Sequence, residues 1–333
     1  MKRNRIDVKV LVIMMVGFLL FGCATVAAKG TREQDQGRQV SDMQATQRET
    51  PVGSKEIADE LGRTVLVPEN PQRVLALTSA AMQALYNIGI SPVGKVEEFK
   101  VSKEGVALPS VGSTANINIE SVYALRPDFI IASSRFHAAL DESLGQTGAP
   151  VYYFDPDRVG EIPVVEVTTY IGALLGKEAI AEQYVQSVFA LAEELQDSIM
   201  QGTGIKTGIM IQDGDTITAA QSASSYGSML ALLGIGNIVP DSLPGAKKAS
   251  FVPFGVETIL ERDPDILFII ASSNDFASNK ALLEKFENDA QWKNSTAVRN
   301  GRVIILPFSA NPNRSTAEDM LRITADAIAK KLD

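Results

Sequence analysis

The chain has 333 residues, of which 45% are hydrophobic and 21% are charged, a composition typical of a globular protein with room for about two domains. Its formal net charge of −9 at pH 7 argues against a nucleic-acid partner, because nucleic acids are bound mainly through clustered Lys and Arg. With Cys23 as its one cysteine, the chain can form neither an internal disulfide nor a thiolate metal site.

Residues 1–22 have the pattern of a secretory signal. Four basic residues, Lys2, Arg3, Arg5 and Lys9, precede an apolar run from Val10 to Phe21. This run is shorter than the roughly 20 residues that a membrane-spanning helix needs. We therefore interpret residues 1–22 as a signal peptide that is removed.

The end of this segment, Leu20-Phe21-Gly22-Cys23, resembles the bacterial lipobox, although Phe21 departs from the small or aliphatic residue usual at its place. The resemblance implies that Cys23 is lipidated and anchors the mature chain in the cell envelope, facing the periplasm or the cell exterior. The residues up to 54 are polar and nearly free of aromatic side chains. They lack the apolar groups that offset ordering entropy, so residues 23–54 are predicted to be a lipidated cysteine and a flexible tether.

From Lys55 onward, short β-branched runs alternate with apolar residues at helical spacing. The runs are RTVLV, RVLAL, DFIIAS and VYYF in the first half, and TGIMIQ, TITAA, DILFIIAS and RVIIL in the second. Strands that alternate with helices predict mostly parallel sheets covered by helices. The predicted fold class is therefore α/β.

A stretch without strand signals, at about residues 160–200, separates the two halves. Gly176 divides it, and apolar residues then recur at helical spacing, at Ile180, Tyr184, Val188, Leu191 and Leu195. They predict one helix from about Glu178 to Met200, roughly 35 Å long at 1.5 Å per residue. The predicted organisation is an N-terminal lobe at 55–176, an interlobe helix at 177–201 and a C-terminal lobe at 202–333.

The most specific pattern is a unit that occurs once in each half, as IESVYALRPDFII at 119–131 and VETILERDPDILF at 256–268. Each copy predicts a short helix that ends before its Pro and leads into a buried strand. Asn118 and Gly255 are suitable N-caps, which places Glu120 and Glu257 in the first helical turn. A carboxylate there stabilises a helix by about 0.3–1 kcal/mol without any further role, but its occurrence at equivalent places in both halves suggests a shared function.

The order and spacing of these patterns resemble the siderophore, haem and cobalamin branch of ABC-importer substrate-binding proteins, the class III or helical-backbone type. The resemblance spans about Lys55 to Asp333 and includes DELGRTVLVPENPQRVLAL, VGSTANINIE and RVIILP. It implies two Rossmann-like lobes joined by one long interlobe helix, with ligand between the lobes. It further implies a monomer that delivers its ligand to an ABC permease dimer with its ATPase, and docks on the permease through Glu120 and Glu257.

Residues after the carboxyl ends of the predicted strands are candidate ligand contacts, because ligands of open α/β sheets bind there. The candidates are Thr78, Ser79, Thr114, Asn116, Arg135, His137, Tyr226, Phe251, Phe254 and Arg314. For Arg135, His137 and Arg314 the functional interpretation is recognition of oxygens on an anionic chelate, and the alternative is solvated loop charge or a capping histidine. Since His137 is the one histidine, a site for bare zinc or manganese is not expected, nor is any resident cofactor.

The expected ligand is a ferric siderophore or a related metal chelate. Haem or cobalamin is the alternative of the same type, but the positions that hold the iron in similar haem-binding members read Ser272 and Ala115 here. An enzyme is not expected, because GxSxG, HExxH and CxxC patterns do not occur. A ligand-sensing receptor domain or an enzyme on the same scaffold is the alternative from another class.

Overall fold

The computed structural model describes residues 53–241, 243, 249–273 and 275–332. The predicted signal peptide, Cys23 and all but the last two residues of the predicted tether lie outside these ranges. Among the described helices, none is both long enough and apolar enough to cross a membrane.

The first half of the described chain is built on a three-stranded parallel sheet of order β3-β6-β7, beside two antiparallel hairpins, β1-β2 and β4-β5. Its strands are β1 (Ser54–Ala58), β2 (Thr64–Pro68), β3 (Val74–Ala76), β4 (Gly112–Ser113), β5 (Asn116–Ile117), β6 (Phe129–Ser133) and β7 (Val151–Phe154). Its helices are α1 (Ser79–Asn87), α2 (Lys103–Ala107), α3 (Ile119–Leu125), α4 (Asp141–Gly145) and α5 (Pro163–Leu174). All residues of the three parallel strands are buried, as expected of a sheet covered on both faces.

The second half, after helix α6 (Glu178–Thr203), contains a six-stranded sheet of order β11-β9-β8-β12-β13, with β10 beside β8. Its strands are β8 (Thr207–Gln212), β9 (Thr218–Ala220), β10 (Gly236–Asn237), β11 (Phe251–Pro253), β12 (Ile266–Ile270) and β13 (Val303–Leu306). Strands β8, β10, β12 and β13 run parallel to one another, whereas β9 is antiparallel to both of its neighbours, β8 and β11. Its helices are α7 (Gly227–Leu232), α8 (Val256–Arg262), α9 (Phe276–Asn288), α10 (Thr296–Arg299) and α11 (Ala317–Leu332).

Helix α6 packs against both halves of the chain. It contacts α5 of the first half and α7 and α11 of the second. The Tyr184 hydroxyl donates to Glu318 Oε2 in α11 at 3.1 Å, and Gln196 Nε2 donates to the Leu232 carbonyl at 2.9 Å. Its 26 residues give a length of roughly 39 Å, three residues more than predicted, and it ends at Gly204 in the left-handed conformation.

The predicted fold class is confirmed: two α/β halves with mostly parallel sheets are connected through one long helix. All eight predicted runs contain a strand. The described residues all fall in a single compact unit, so the lobe boundaries at 55–176, 177–201 and 202–333 stay a prediction.

The repeated unit adopts the same structure in both halves. Helices α3 and α8 begin after Asn118 and Gly255, as predicted, and the Asn118 side chain accepts a hydrogen bond from the Ser121 N–H at 3.0 Å. Each helix ends at a residue with positive φ, Arg126 at 47° and Asp263 at 43°. The following Pro cannot continue the helix, so the chain turns there into the buried strand.

The Asp after that Pro fixes the neighbouring strand. The Asp128 carboxylate accepts hydrogen bonds from the backbone N–H groups of Gln72 and Arg73, just before β3. Asp265 Oδ2 does the same for Lys206 and Thr207 at the start of β8. The Pro-Asp pair of the repeat therefore has a structural role in each half, because its Asp connects the strand that follows it to the start of the neighbouring parallel strand.

Candidate functional site

A cavity of about 330 Å³ is lined by residues from both halves of the chain. The first half contributes the start of α1, from Thr78 to Ala80, and the start of α5, at Pro163 and Val164. The second half contributes Ser224 to Tyr226 before α7, Phe251 in β11, and the start of α11. Helix starts and strand ends therefore converge on one space, as expected for α/β halves that face each other.

Five of the candidate ligand contacts line this cavity: Thr78, Ser79, Thr114, Tyr226 and Phe251. The rings of Tyr226 and Phe251 meet edge to face with centroids 5.7 Å apart. Burial raises the pKa of Tyr226 to about 12, so its hydroxyl is neutral at physiological pH. The pair forms an aromatic wall against which an apolar ligand face can pack.

The start of α1 presents unused hydrogen-bond donors to the cavity. Thr78 caps the helix, because its Oγ1 accepts from the Ala81 N–H at 3.3 Å. Ser79 is buried, and its Oγ has no partner in the described structure. The N–H groups of Ser79 and Ala80 belong to the first turn, which has no intrahelical acceptor for them. A helix start of this kind suits an oxygen atom that accepts hydrogen bonds.

His137 lies behind the cavity wall and not on it. The residue is 1% exposed, its Nδ1 accepts from the Ser133 N–H at 2.9 Å, and its Nε2 donates to the Thr114 carbonyl at 2.8 Å. Burial lowers the pKa of His137, although the hydrogen bond to Thr114 opposes this. The ring therefore holds Thr114 in place and has no free nitrogen to offer a ligand.

Thr114 also positions a carboxylate. Its backbone N–H and its hydroxyl donate to Glu98 at 3.0 and 3.2 Å, and Glu98 lines the cavity. The sequence analysis, which took residues after the carboxyl ends of strands as candidates (the strand-end rule), did not predict Glu98. This residue lies in an irregular segment between α1 and α2. The three residues His137, Thr114 and Glu98 form a continuous chain of hydrogen bonds from the end of β6 to the cavity.

The two candidate arginines lie beside the lining residues. Arg135 Nη1 is 3.5 Å from Asp157 Oδ2, and its guanidinium carbon is 4.9 Å from the centroid of the Phe136 ring; Asp157 and Phe136 both line the cavity. Arg314 lies over the Phe308 ring at 4.4 Å. Contact of either arginine with ligand stays a prediction.

The remaining two candidates lie elsewhere. Asn116 is exposed in the hairpin strand β5, and it does not line the cavity. Phe254 is buried in the hydrophobic core of the second half. The backbone of Phe254 bonds to the Ile217 carbonyl, so this residue extends the sheet that presents Phe251.

Several lining residues were not nominated from the sequence. Gln83 and Asn87 follow Ser79 at intervals of four along α1. This helical spacing of polar residues would have predicted that they share one face of the helix with Ser79. Gln83 Nε2 donates to Asn87 Oδ1 at 2.7 Å, and Asn87 Nδ2 donates to Thr168 Oγ1 at 2.9 Å. These polar side chains thus continue into α5 as a connected polar wall.

Asp157 follows β7 by three residues, so the strand-end rule applied to that strand would have found it. Burial, together with the nearby charge of Asp155, raises the pKa of Asp157, and Arg135 opposes this shift. In the described parts of the chain, no three His, Cys, Asp or Glu side chains come together as a metal site.

The two glutamates of the repeat are both exposed. They lie in the first turns of α3 and α8. Within the described ranges, neither carboxylate forms a salt bridge or a side-chain hydrogen bond. Both are therefore free to contact another molecule.

Comparison with known proteins places the chain among binding proteins. The model of the family described as periplasmic binding protein matches residues 74–310. The Fe(3+)-citrate-binding protein YfmC of Bacillus subtilis (strain 168) is 25% identical over 301 residues, which cover 89% of this chain and 88% of YfmC. The ferric-anguibactin-binding protein FatB of Vibrio anguillarum (strain ATCC 68554 / 775) is 25% identical over 292 residues, covering 85% of this chain and 88% of FatB.

A solved structure shares the fold. The siderophore-binding protein BauB, bound to a complex between two molecules of acinetobactin and ferric iron, superposes with a TM-score of 0.62 at 20% identity. The match covers 84% of this chain and 99% of BauB.

Proposed function

The chain belongs to the periplasmic binding protein family, and from this premise we propose that it captures a ferric siderophore or a related metal chelate for an ABC importer. The observation that carries the proposal is the cavity of about 330 Å³ lined by both halves. Small-molecule sites have this size and combine apolar walls with a few polar groups. The relatives named for ferric citrate and ferric anguibactin support an iron chelate as the ligand.

Haem is the weaker candidate within the same family. The positions that would supply its axial ligands carry Ser272 and Ala115, and neither residue is a usual haem ligand. His137 does not replace them, because both of its ring nitrogens are bonded to backbone. Catalysis is not part of the proposal, since the family consists of binding proteins.

Delivery to the permease is proposed to use Glu120 and Glu257. Both carboxylates are exposed and unpaired among the described residues, and each lies at the same place in its copy of the repeat. Exposed charges add little to stability but orient an encounter between two proteins. A permease built from two subunits can accept one carboxylate from each half.

The test is transport by cells whose own copy of the chain is deleted. We expect wild type to restore uptake of a radioactive ferric siderophore, and the double substitution Glu120→Ala with Glu257→Ala to lower uptake at least about ten-fold because it removes both docking charges. Ligand affinity should stay within about two-fold, since neither residue lines the cavity. The control is Glu142→Ala with Glu194→Ala, which removes two other exposed carboxylates. Loss of affinity in the Glu120 and Glu257 variant would refute the docking role.

Anchoring in the cell envelope through Cys23 is also proposed. It is supported by the lipobox-like sequence that precedes Cys23. Incorporation of a labelled fatty acid that is lost in Cys23→Ala is the expected result, and labelling that persists in this variant would contradict it.

A further inference from the structure

The charged side chains that line the cavity in the described structure are both carboxylates, Glu98 and Asp157. Glu98 is oriented by two donors of Thr114. Asp157 is paired with Arg135 at a distance of 3.5 Å. Arg135 does not line the cavity itself, and Arg314 lies over the ring of Phe308. A ligand with a large negative charge would therefore face the Glu98 carboxylate and the Asp157–Arg135 ion pair, with no cation among the described lining residues.

Helix N-termini at the cavity could offset the negative charge of its lining, because a helix N-terminus carries about half a positive charge. Three helices of more than eight residues begin at the cavity: α1, α5 and α11. Helix α5 starts with Pro163, which has no N–H, and the Glu166 carboxylate accepts from the Ile162 N–H at 2.7 Å. Helix α11 carries Glu318 and Asp319 in its first turn. In both α5 and α11, a carboxylate of the helix itself therefore offsets the partial positive charge of the N-terminus.

Helix α1 is different, because its first turn contains no acidic residue. The buried Ser79 Oγ has no partner in the described chain and belongs to the cavity wall. This start offers donors to an oxygen with partial negative charge. It does not supply the full positive charge that a polyanion would need beside Glu98 and Asp157.

Resting on the proposed function, we propose that the cavity selects ferric chelates without net negative charge, of the hydroxamate class, with an acceptor oxygen of the chelate at the start of α1. Three hydroxamates neutralise ferric iron and keep acceptor oxygens at their surface. Three catecholates leave a net trianion, and citrate complexes of ferric iron are anionic as well. The hydroxyl, amide and aromatic groups of the lining suit the neutral class, since they offer donors and apolar contact without charge.

The charge of the ligand can be varied at constant iron geometry. A linear ferric trihydroxamate carries one positive charge with a free terminal amine, none when the amine is acetylated, and one negative charge when it is succinylated. Titration calorimetry of the full-length protein in detergent should give similar affinity for the first two and at least about ten-fold weaker binding of the third. A ferric tris-catecholate and ferric citrate should bind weaker still.

Variants identify the source of this discrimination. Glu98→Gln with Asp157→Asn is expected to bring the succinylated chelate to within about three-fold of the acetylated one. The control, Glu142→Gln with Glu261→Gln, changes the net charge equally at exposed positions away from the cavity, and should retain the discrimination. If the control behaves like the cavity variant, the overall charge of the protein decides and the inference is wrong.

The contact at α1 is tested by Ser79→Ala, which should weaken the acetylated chelate about five-fold through loss of one hydrogen bond. The matched control is Thr169→Val, since Thr169 Oγ1 is also buried without a partner among the described residues but Thr169 does not line the cavity. Affinity that is unchanged in Ser79→Ala would overturn this contact.

The outcomes separate the two levels of the proposal. Tighter binding of the tris-catecholate or of ferric citrate than of the hydroxamates would overturn the charge inference and leave the proposed function intact. Binding of none of these iron chelates would contradict the proposed function itself.

Discussion

His137 shows how a residue that looks like a ligand from the sequence can serve the fold. Its ring accepts a hydrogen bond from Ser133 on Nδ1 and donates one to Thr114 from Nε2. This pattern requires the neutral tautomer with its proton on Nε2. A second proton on Nδ1 would face the Ser133 N–H, so protonation disrupts the contact that orients the ring whose Nε2 donates to Thr114.

We predict that His137 makes stability depend on pH. Burial lowers the pKa of His137 in the folded chain below its value of about 6.5 in the unfolded chain. The contribution of neutral His137 to the free energy of unfolding is therefore complete above about pH 6.5. It is lost as the pH falls from there through the folded-state pKa, and the free energy of unfolding then decreases by up to about 1.4 kcal/mol per pH unit. The measurement is urea unfolding between about pH 8 and pH 5.

His137→Gln is the comparison for this experiment, because a glutamine amide can accept from Ser133 and donate to Thr114 without titrating. The difference in unfolding free energy between wild type and this variant should shrink as the pH falls. A difference that stays constant with pH would show that the ring is protonated in the folded chain as readily as in the unfolded one.

At the scale of elements, long β-branched runs were predicted reliably because they form strands buried on both faces. The run DFIIAS became β6 and DILFIIAS became β12, each of which pairs in parallel with both of its neighbours. The hairpin strands β4 and β5 have two residues each, which is too short for any periodicity to appear. The antiparallel direction of β9 relative to β8 and β11 was also beyond prediction, since it depends on turns that a run of apolar residues does not encode.

The cavity was predicted in part for a related reason. The strand-end rule found Ser79, Thr114 and Tyr226, which lie close to element boundaries. It missed Gln83 and Asn87, which lie one and two turns into α1, because the rule describes loops and not the helix that follows. Asn116 does not line the cavity, because it belongs to a hairpin strand that the sequence pattern did not reveal.

The loop before α7 yields a prediction at this scale. A Cβ atom on Gly227 would lie 1.8 Å from the Gln221 carbonyl oxygen and 2.6 Å from its carbon, so Gly227→Ala must displace the loop that carries Ser224 and Tyr226. We expect the free energy of unfolding to fall by about 2–4 kcal/mol, and ligand affinity to fall as the aromatic wall moves. Urea unfolding and ligand titration of the full-length protein measure both effects.

Gly145→Ala is the matched control. Gly145 lies in helix α4 with ordinary backbone angles, and a Cβ there meets no atom of the described residues within 4 Å. This change should leave affinity unaltered and raise stability by about 0.5–1 kcal/mol. If Gly227→Ala proved as harmless as this control, the close approach of the loop to α7 would not matter for the site.

At the scale of the whole molecule, helix α6 joins two α/β halves that share one cavity. It packs on α5 of the first half and on α11 of the second, and α5 and α11 both begin at the cavity. A packed helix bends less readily than a pair of connecting strands, so we expect ligand binding to change the relation of the halves only slightly. Glu120 and Glu257, one from each half, would then keep a nearly constant spacing for docking.

The central claim is that this cavity holds the iron chelate, and its most direct test is equilibrium dialysis of the full-length protein in detergent against radioactive ferric siderophores. Ala80 is exposed and lines the cavity in the first turn of α1, so Ala80→Trp should obstruct the cavity without disturbing the core. We predict saturable binding to wild type and to the control Ala190→Trp, which alters an exposed position on α6, and at least about a hundred-fold loss of affinity in Ala80→Trp. Equal binding by Ala80→Trp and wild type would contradict the account.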